Sequence, residues 1–103
     1  MNCDISYSRD FLRDLKQLRK RHRSIDSDVA NLIEDLRVNP LQGIDIEHKM
    51  HKIRIAISSK GHGKRGGARV ITHVIVEVED TAVKLLTIYD KTDKESVFRK
   101  QIA

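Results

Sequence analysis

With 103 residues, 20 Lys and Arg against 15 Asp and Glu, a formal net charge of +5, two Phe, two Tyr and no Trp, the chain suits one domain, 1–103, with one aliphatic two-layer core. The lone Cys3 excludes an intramolecular disulfide and, with no neighbouring His or second Cys, is assigned no chemistry. No apolar run approaches the roughly 20 residues that a bilayer crossing needs, and the amino terminus has neither a basic nor an apolar leader region, so the expected location is cytoplasmic.

Cys3 to Tyr7 alternates apolar and polar residues, as a short half-buried strand does. Ser8 offers an N-cap, and from Arg9 to about His22 the residues Phe11, Leu12, Leu15 and Leu18 share one helical face opposite Arg13, Asp14, Lys16 and Gln17. A second helix follows Ser24, whose hydroxyl is placed to cap it, with Asp26 and Asp28 in its first turn. Val29, Leu32, Ile33 and Leu36 form its stripe, and Asn39-Pro40 ends it. So short a break between helices gives a hairpin that must lay its apolar stripes on a sheet.

The rest of the chain supplies that sheet. His51 to Ser58 alternates Ile53, Ile55 and Ile57 with Lys52, Arg54 and Ala56, Ala68 to Val78 carries a β-branched run, and Ala82 to Tyr89 continues the pattern. The link Glu79-Asp80-Thr81 is short enough for an antiparallel hairpin. Thr92-Asp93-Lys94-Glu95 matches a capping box and opens a terminal helix ending near Ile102. The expected order is β-α-α-β-β-β-α, an α+β two-layer sandwich whose helix hairpin packs on one face of a mainly antiparallel sheet.

Between Glu47 and Glu77 there is no acidic residue, yet Lys49, Lys52, Arg54, Lys60, Lys64, Arg65 and Arg69 all lie there. Such a stripe focuses a positive field and supplies salt-dependent affinity for phosphates, RNA above all; the alternative is a solubilising surface. If Ile53, Ile55 and Ile57 face the helices, Lys52 and Arg54 project from the open sheet face, and Arg69 joins them from the next strand. Tyr89 closes the third strand and Lys91 follows it. Fixed cations with one aromatic suit metal-independent cleavage of RNA, in which a 2′-hydroxyl loses a proton, a phosphorane is neutralised and the departing 5′-oxygen is protonated. An Arg fork suits the second task. Lys52, crowded by Arg54 and Arg69, is a candidate base because like charges disfavour its protonated form, an ordinary solvated lysine being the alternative.

Four of the five histidines, His48, His51, His62 and His73, raise metal binding or acid-base catalysis. No Cys or close carboxylate accompanies His62, and Glu47-His48 lacks zinc-ligand spacing, so no metal is expected. His51 and His73 stay candidates to face the site, exposed strand histidines being the alternative. The glycine-rich loop from Ser58 to Gly67 lacks the GK[ST]-helix sequence of a Walker loop and feeds a strand instead. Its amides and its Lys60, Lys64 and Arg65 side chains are candidates to wrap a phosphate backbone, together with Lys49; the alternative is a flexible connection with ordinary turn glycines.

The segments KIRIAI from Lys52, SKGHGKRGGARVI from Ser59 and IYDKTDKE from Ile88 together resemble the RelE/ParE superfamily of type II toxin-antitoxin modules, especially its RelE- and HigB-like mRNA interferase branch. The resemblance covers nearly the whole chain, and the run from Lys60 to Ile71 is its most specific part. It implies a microbial RNase-like fold that cuts mRNA, commonly in the ribosomal A site, through a cyclic phosphate and without metal or other cofactor. Lys52 and Arg54 match the family's paired basic residues on the second strand, and Arg69 its phosphate-binding arginine on the third. Tyr89 matches a stacking or orienting tyrosine, and Lys91 and Lys94 match phosphate-contacting lysines. Where the family places an arginine proposed as general acid, this chain has Thr92, and the family's terminal-helix tyrosine falls near Val97 or Phe98. The leaving-group acid is therefore unassigned, with Lys91, Lys94, a histidine such as His73, or the ribosome as alternatives. The resemblance also implies a cognate antitoxin, which a cationic site would attract by charge complementarity. Two alternatives stand beside the nuclease: a ParE-like inhibitor of DNA gyrase, and a non-catalytic relic that binds RNA or antitoxin.

Overall fold

The computed structural model describes residues 2–92; the expected terminal helix after Thr92, and with it Lys94, lies outside them. Strand β1 (Asn2–Tyr7) leads into helices α1 (Arg9–Arg19) and α2 (Ile25–Val38). Then come β2 (Ile44–Asp45), β3 (Met50–Ile55), a 3-10 turn (Ser58–Lys60), β4 (Ala68–Val76) and β5 (Asp80–Asp90). The five strands form one sheet in the order β1-β5-β4-β3-β2, parallel between β1 and β5 and antiparallel elsewhere. The expected α+β sandwich is thus the observed one, with β2 added. Two residues are too short to show an alternating pattern, so β2 exists only through its pairing of Ile44 with Lys52 and Asp45 with His51.

Ser8 starts α1 as expected, its hydroxyl accepting from Phe11 N at 3.0 Å while donating to Leu86 O of β5 at 2.7 Å. One side chain therefore fixes the end of β1, the entry to α1 and the neighbouring strand. Ser24 behaves differently from its expected role. It occupies the N-cap position of α2, but its hydroxyl makes no cap bond; it donates to Asp28 Oδ2 at 2.7 Å and accepts from Ser59 N at 2.8 Å.

Phe11, Leu15 and Leu18 of α1 and Ile25, Val29, Leu32 and Leu36 of α2 meet Ile53, Ile55, Val70, Val74, Val83, Leu85 and Ile88 of the sheet in one core. Burying such aliphatic side chains is the main favourable term in folding. Leu12, expected in the stripe, is exposed, and Asp14 takes a buried place instead, accepting from Thr87 Oγ1 at 2.6 Å. The β4–β5 register shifts beside Thr87, between Ile71 and Thr72.

Strand β3 ends at Ile55 rather than Ser58, and β4 at Val76 rather than Val78. At the start of β4 the chain passes so close to β3 that a Cβ on Gly67 would overlap the carbonyl oxygen of Ile55 and lie 3.0 Å from Ala56 Cα. Backbone cannot swing aside as a flexible side chain can. Gly67→Ala is expected to lower stability by roughly 1–3 kcal/mol, read from the denaturation midpoint; an unchanged midpoint would mean that β3 yields there.

Candidate nucleic-acid interface

Residues opposite each other in an antiparallel pair share a face. Arg54 of β3 stands opposite Arg69 of β4, and Arg69 opposite Tyr89 of β5, so these three form one row across the sheet. Lys52, two residues from Arg54, lies on the same face and pairs with Ile71. This is the face away from the helices, because Ile53 and Ile55 point into the core. The structure thereby brings together Lys52, Arg54, Arg69 and Tyr89.

They differ in what they offer a ligand. Arg54 is exposed and Lys52 half-buried, whereas Arg69 and Tyr89 are only 3% and 2% exposed. Arg69 Nη1 donates to the carbonyls of Lys64 at 2.9 Å and Ala68 at 3.2 Å, and Nη2 to that of Arg65 at 3.3 Å. A buried guanidinium is tolerated only when such acceptors replace water. In this conformation Arg69 spends its charge on holding the glycine-rich loop.

That loop is bonded along its length. At its start Asp28 of α2 accepts from Ser58 N at 3.0 Å and Ser58 Oγ at 2.6 Å, in addition to Ser24 Oγ. Within it, Gly66 N donates to His62 O and Gly67 N to Lys64 O, each at 3.3 Å, and at its end Lys91 N donates to Gly67 O at 3.1 Å. His62, Lys64 and Arg65 stay exposed at its surface.

Lys60 is committed elsewhere. Its Nζ lies 2.9 and 3.1 Å from the two carboxylate oxygens of Asp90, a residue 1% exposed at the end of β5. His22 Nε2 lies 2.9 Å from Asp90 Oδ2, Arg21 approaches at 3.4 Å, and the hydroxyl and amide of Thr92 donate to Oδ1 at 2.7 and 3.0 Å. Burial alone would push the Asp90 carboxyl up. The hydrogen bonds from Lys60, Thr92 and His22 outweigh that and hold it well below the usual carboxylate range. No local pattern in the sequence marks Asp90, although it sits inside the Tyr-Asp-Lys segment: apart from Thr92, its side-chain partners lie 30 to 69 positions away.

The other expected residues are spread out. Lys49 is exposed in a run of three left-handed residues, Glu47, His48 and Lys49. It precedes β3 while the loop follows it, so the length of that strand, at roughly 3.3 Å per residue, separates them. His51 is buried on the helix side opposite Thr72, away from Lys52 and Arg54, while His73 is half-buried on their side, opposite Met50 and Lys84. Among the described residues no group of three or more His, Cys, Asp or Glu is placed to hold a metal ion. Nor is any helix among them long and apolar enough to cross a membrane.

Cavities among the described residues flank the loop. One of about 200 Å³ lies between α2 and β3 and includes Arg54, Lys64, Asp28, Asn31 and Asp35. Another, of about 300 Å³, is lined by His62, Arg65, Gly66, Lys91 and Thr92. Arg54, His62, Lys64, Arg65 and Lys91 have no side-chain hydrogen bond or ion pair among the described residues, which leaves their donors available to a phosphate.

No protein-family model matches the chain, and no curated protein does. Among solved structures, the free state of a double arginine-to-alanine mutant of E. coli toxin RelE is similar over all of both chains, with a TM-score of 0.61 and 16% sequence identity. Two helices on one face of a five-stranded, mostly antiparallel sheet therefore make up a RelE-like fold.

Asp90→Asn would leave Lys60 and His22 facing a neutral amide, and the expected loss is about 3–5 kcal/mol at neutral pH. Because the folded carboxyl titrates below its unfolded value of roughly 3.9, the unfolded chain binds more protons as pH falls below about 4. The Asp90 contribution is thus fully present above that pH and lost as pH drops toward the folded value. Denaturation midpoints across that range should show a shallower acid limb in Asp90→Asn than in the wild type.

Proposed function

We propose that this protein is the toxin of a type II toxin-antitoxin pair, a metal-independent endoribonuclease that cleaves mRNA on the translating ribosome. The observation that carries the reading is the RelE-like fold with uncommitted cations, Arg54, Lys64, Arg65 and Lys91, gathered around one glycine-rich loop. Such cations supply affinity for phosphates and offset the charge that builds up on a phosphorane.

In this reading Lys52 takes the proton of the attacking 2′-hydroxyl and Arg54 binds the phosphorane oxygens beside it. Tyr89, under the same face, orients the substrate by way of the Arg54–Arg69–Tyr89 row, and Lys64, Arg65 and Lys91 grip the flanking backbone, with Lys94 as a further contact. Arg69 fixes the loop in the closed arrangement and reaches phosphate only if those carbonyls release it. Lys60 supports the site through Asp90, and Lys49 contacts RNA at the far end of β3. No cofactor is needed, the site of action is the cytoplasmic ribosomal A site, and an acidic segment of a cognate antitoxin covers the same cations.

A second reading is a non-catalytic binder of RNA or antitoxin, favoured by the burial of Arg69 and the use of its donors on the loop. Inducible expression followed by mapping of mRNA 5′ ends separates the two. In-frame cuts in translated messages are expected, and Arg54→Ala should reduce them about 10²-fold with no change in the denaturation midpoint, since Arg54 is exposed. Growth without cuts would favour the binder, and arrest with intact mRNA and damaged DNA would favour a gyrase inhibitor.

A further inference from the structure

When a 2′-oxygen displaces the 5′-oxygen of an RNA chain, the departing oxygen needs a proton, and none of the roles above supplies it. Thr92, just past β5, has its hydroxyl proton engaged by Asp90 Oδ1 at 2.7 Å. The cavity it borders does contain a donor. His62 lines this space of about 300 Å³ with Arg65, Gly66, Lys91 and Thr92, a size that suits a nucleotide-sized ligand.

The histidine is held there by the glycines around it. Gly61 and Gly63 on either side are left-handed, at φ 76° and 59°, a conformation that favours glycine. Gly66 closes the turn on it, with its N–H on His62 O at 3.3 Å. A Cβ at position 66 would lie 2.6 Å from His62 Cβ. The spacing Gly-His-Gly-x-x-Gly therefore has a geometric reason beyond loop flexibility. The imidazole, like the Arg65 and Lys91 side chains, has no partner among the described residues, whereas Lys60 is held on Asp90 and Arg69 on loop carbonyls.

We propose that His62 is the general acid of the cleavage reaction, protonating the leaving 5′-oxygen while Arg65 and Lys91 grip the flanking RNA backbone at the same cavity. This rests on the endoribonuclease reading above. In the step, the P–O2′ bond forms as the 2′-hydroxyl proton passes to the base, Lys52. The P–O5′ bond breaks as an N–H proton of the His62 imidazolium passes to O5′. The products are a 2′,3′-cyclic phosphate and a 5′-hydroxyl, and Arg54 offsets the charge on the phosphorane between them. Imidazole suits the task because it exchanges a proton near neutral pH, whereas Arg holds its own too firmly to give it up.

The test uses two RNA substrates presented on ribosomes, one ordinary and one with sulfur in place of the bridging 5′-oxygen, a leaving group that departs without protonation. On the ordinary substrate His62→Ala is expected to cleave at least about 10²-fold more slowly than wild type. On the sulfur substrate it should return to within a few-fold of wild type. His62→Gln, which keeps polarity and hydrogen-bond donors but has no group that can give up a proton near neutral pH, should behave as His62→Ala does. An equal loss on both substrates, a wild-type rate in either variant, or no loss at all would overturn the assignment. A wild-type protein inactive on both substrates would instead overturn the nuclease reading, and this proposal with it. Denaturation midpoints at the wild-type value confirm that the variants fold, as expected for an exposed loop position.

Discussion

The basic surface depends on carboxylates that the basic segment itself lacks. Residues 48–76 contain no acid, so a loop rich in Lys, Arg and Gly has nothing of its own to balance its charge or tie down its backbone. Two buried aspartates from outside the segment do both. Asp28 of α2 takes the start of the loop through Ser58, and Asp90 of β5 takes Lys60. A buried carboxylate is costly unless fully bonded, and each of these is satisfied by partners from at least one other element. The helix hairpin, the loop and the last strand are therefore interlocked by polar contacts as well as by the apolar core.

That arrangement sorts the cations into two kinds. Lys60 and Arg69 are structural in this conformation, their donors fixed on Asp90 and on loop carbonyls. Arg54, Lys64, Arg65 and Lys91 keep theirs available. A charge already neutralised or shielded by the protein adds little to phosphate affinity, so the effective positive patch is smaller than the sequence count and is centred on the loop and the end of β5. This is also where His62 and Lys91 meet across one cavity.

How much of this is legible in the sequence differs by element. The helices are, because Phe11, Leu15, Leu18 and Val29, Leu32, Leu36 recur at helical spacing and Ser8 supplies a cap. The shared face of Lys52, Arg54 and Arg69 is too, since strand alternation and antiparallel pairing settle it once β3 and β4 are recognised. Leu12 misled because its place at the edge of the stripe leaves it outside the contact with the sheet. Asp14 and Ser24 misled because their side chains are satisfied by Thr87 and Ser59, 73 and 35 positions away.

By itself, then, the sequence determined what short-range physics controls: the order of helices and strands, the apolar faces, and the concentration of cations between two acidic residues. Only the tertiary structure decided which of those cations remain available, that Asp90 anchors the loop, that His51 is buried while His62 borders a cavity, and that a two-residue strand completes the sheet edge. The reason is physical. Periodicity reports on a residue and its neighbours a turn or a pleat away, whereas the state of a charged or polar side chain depends on partners that the fold delivers from tens of residues along the chain.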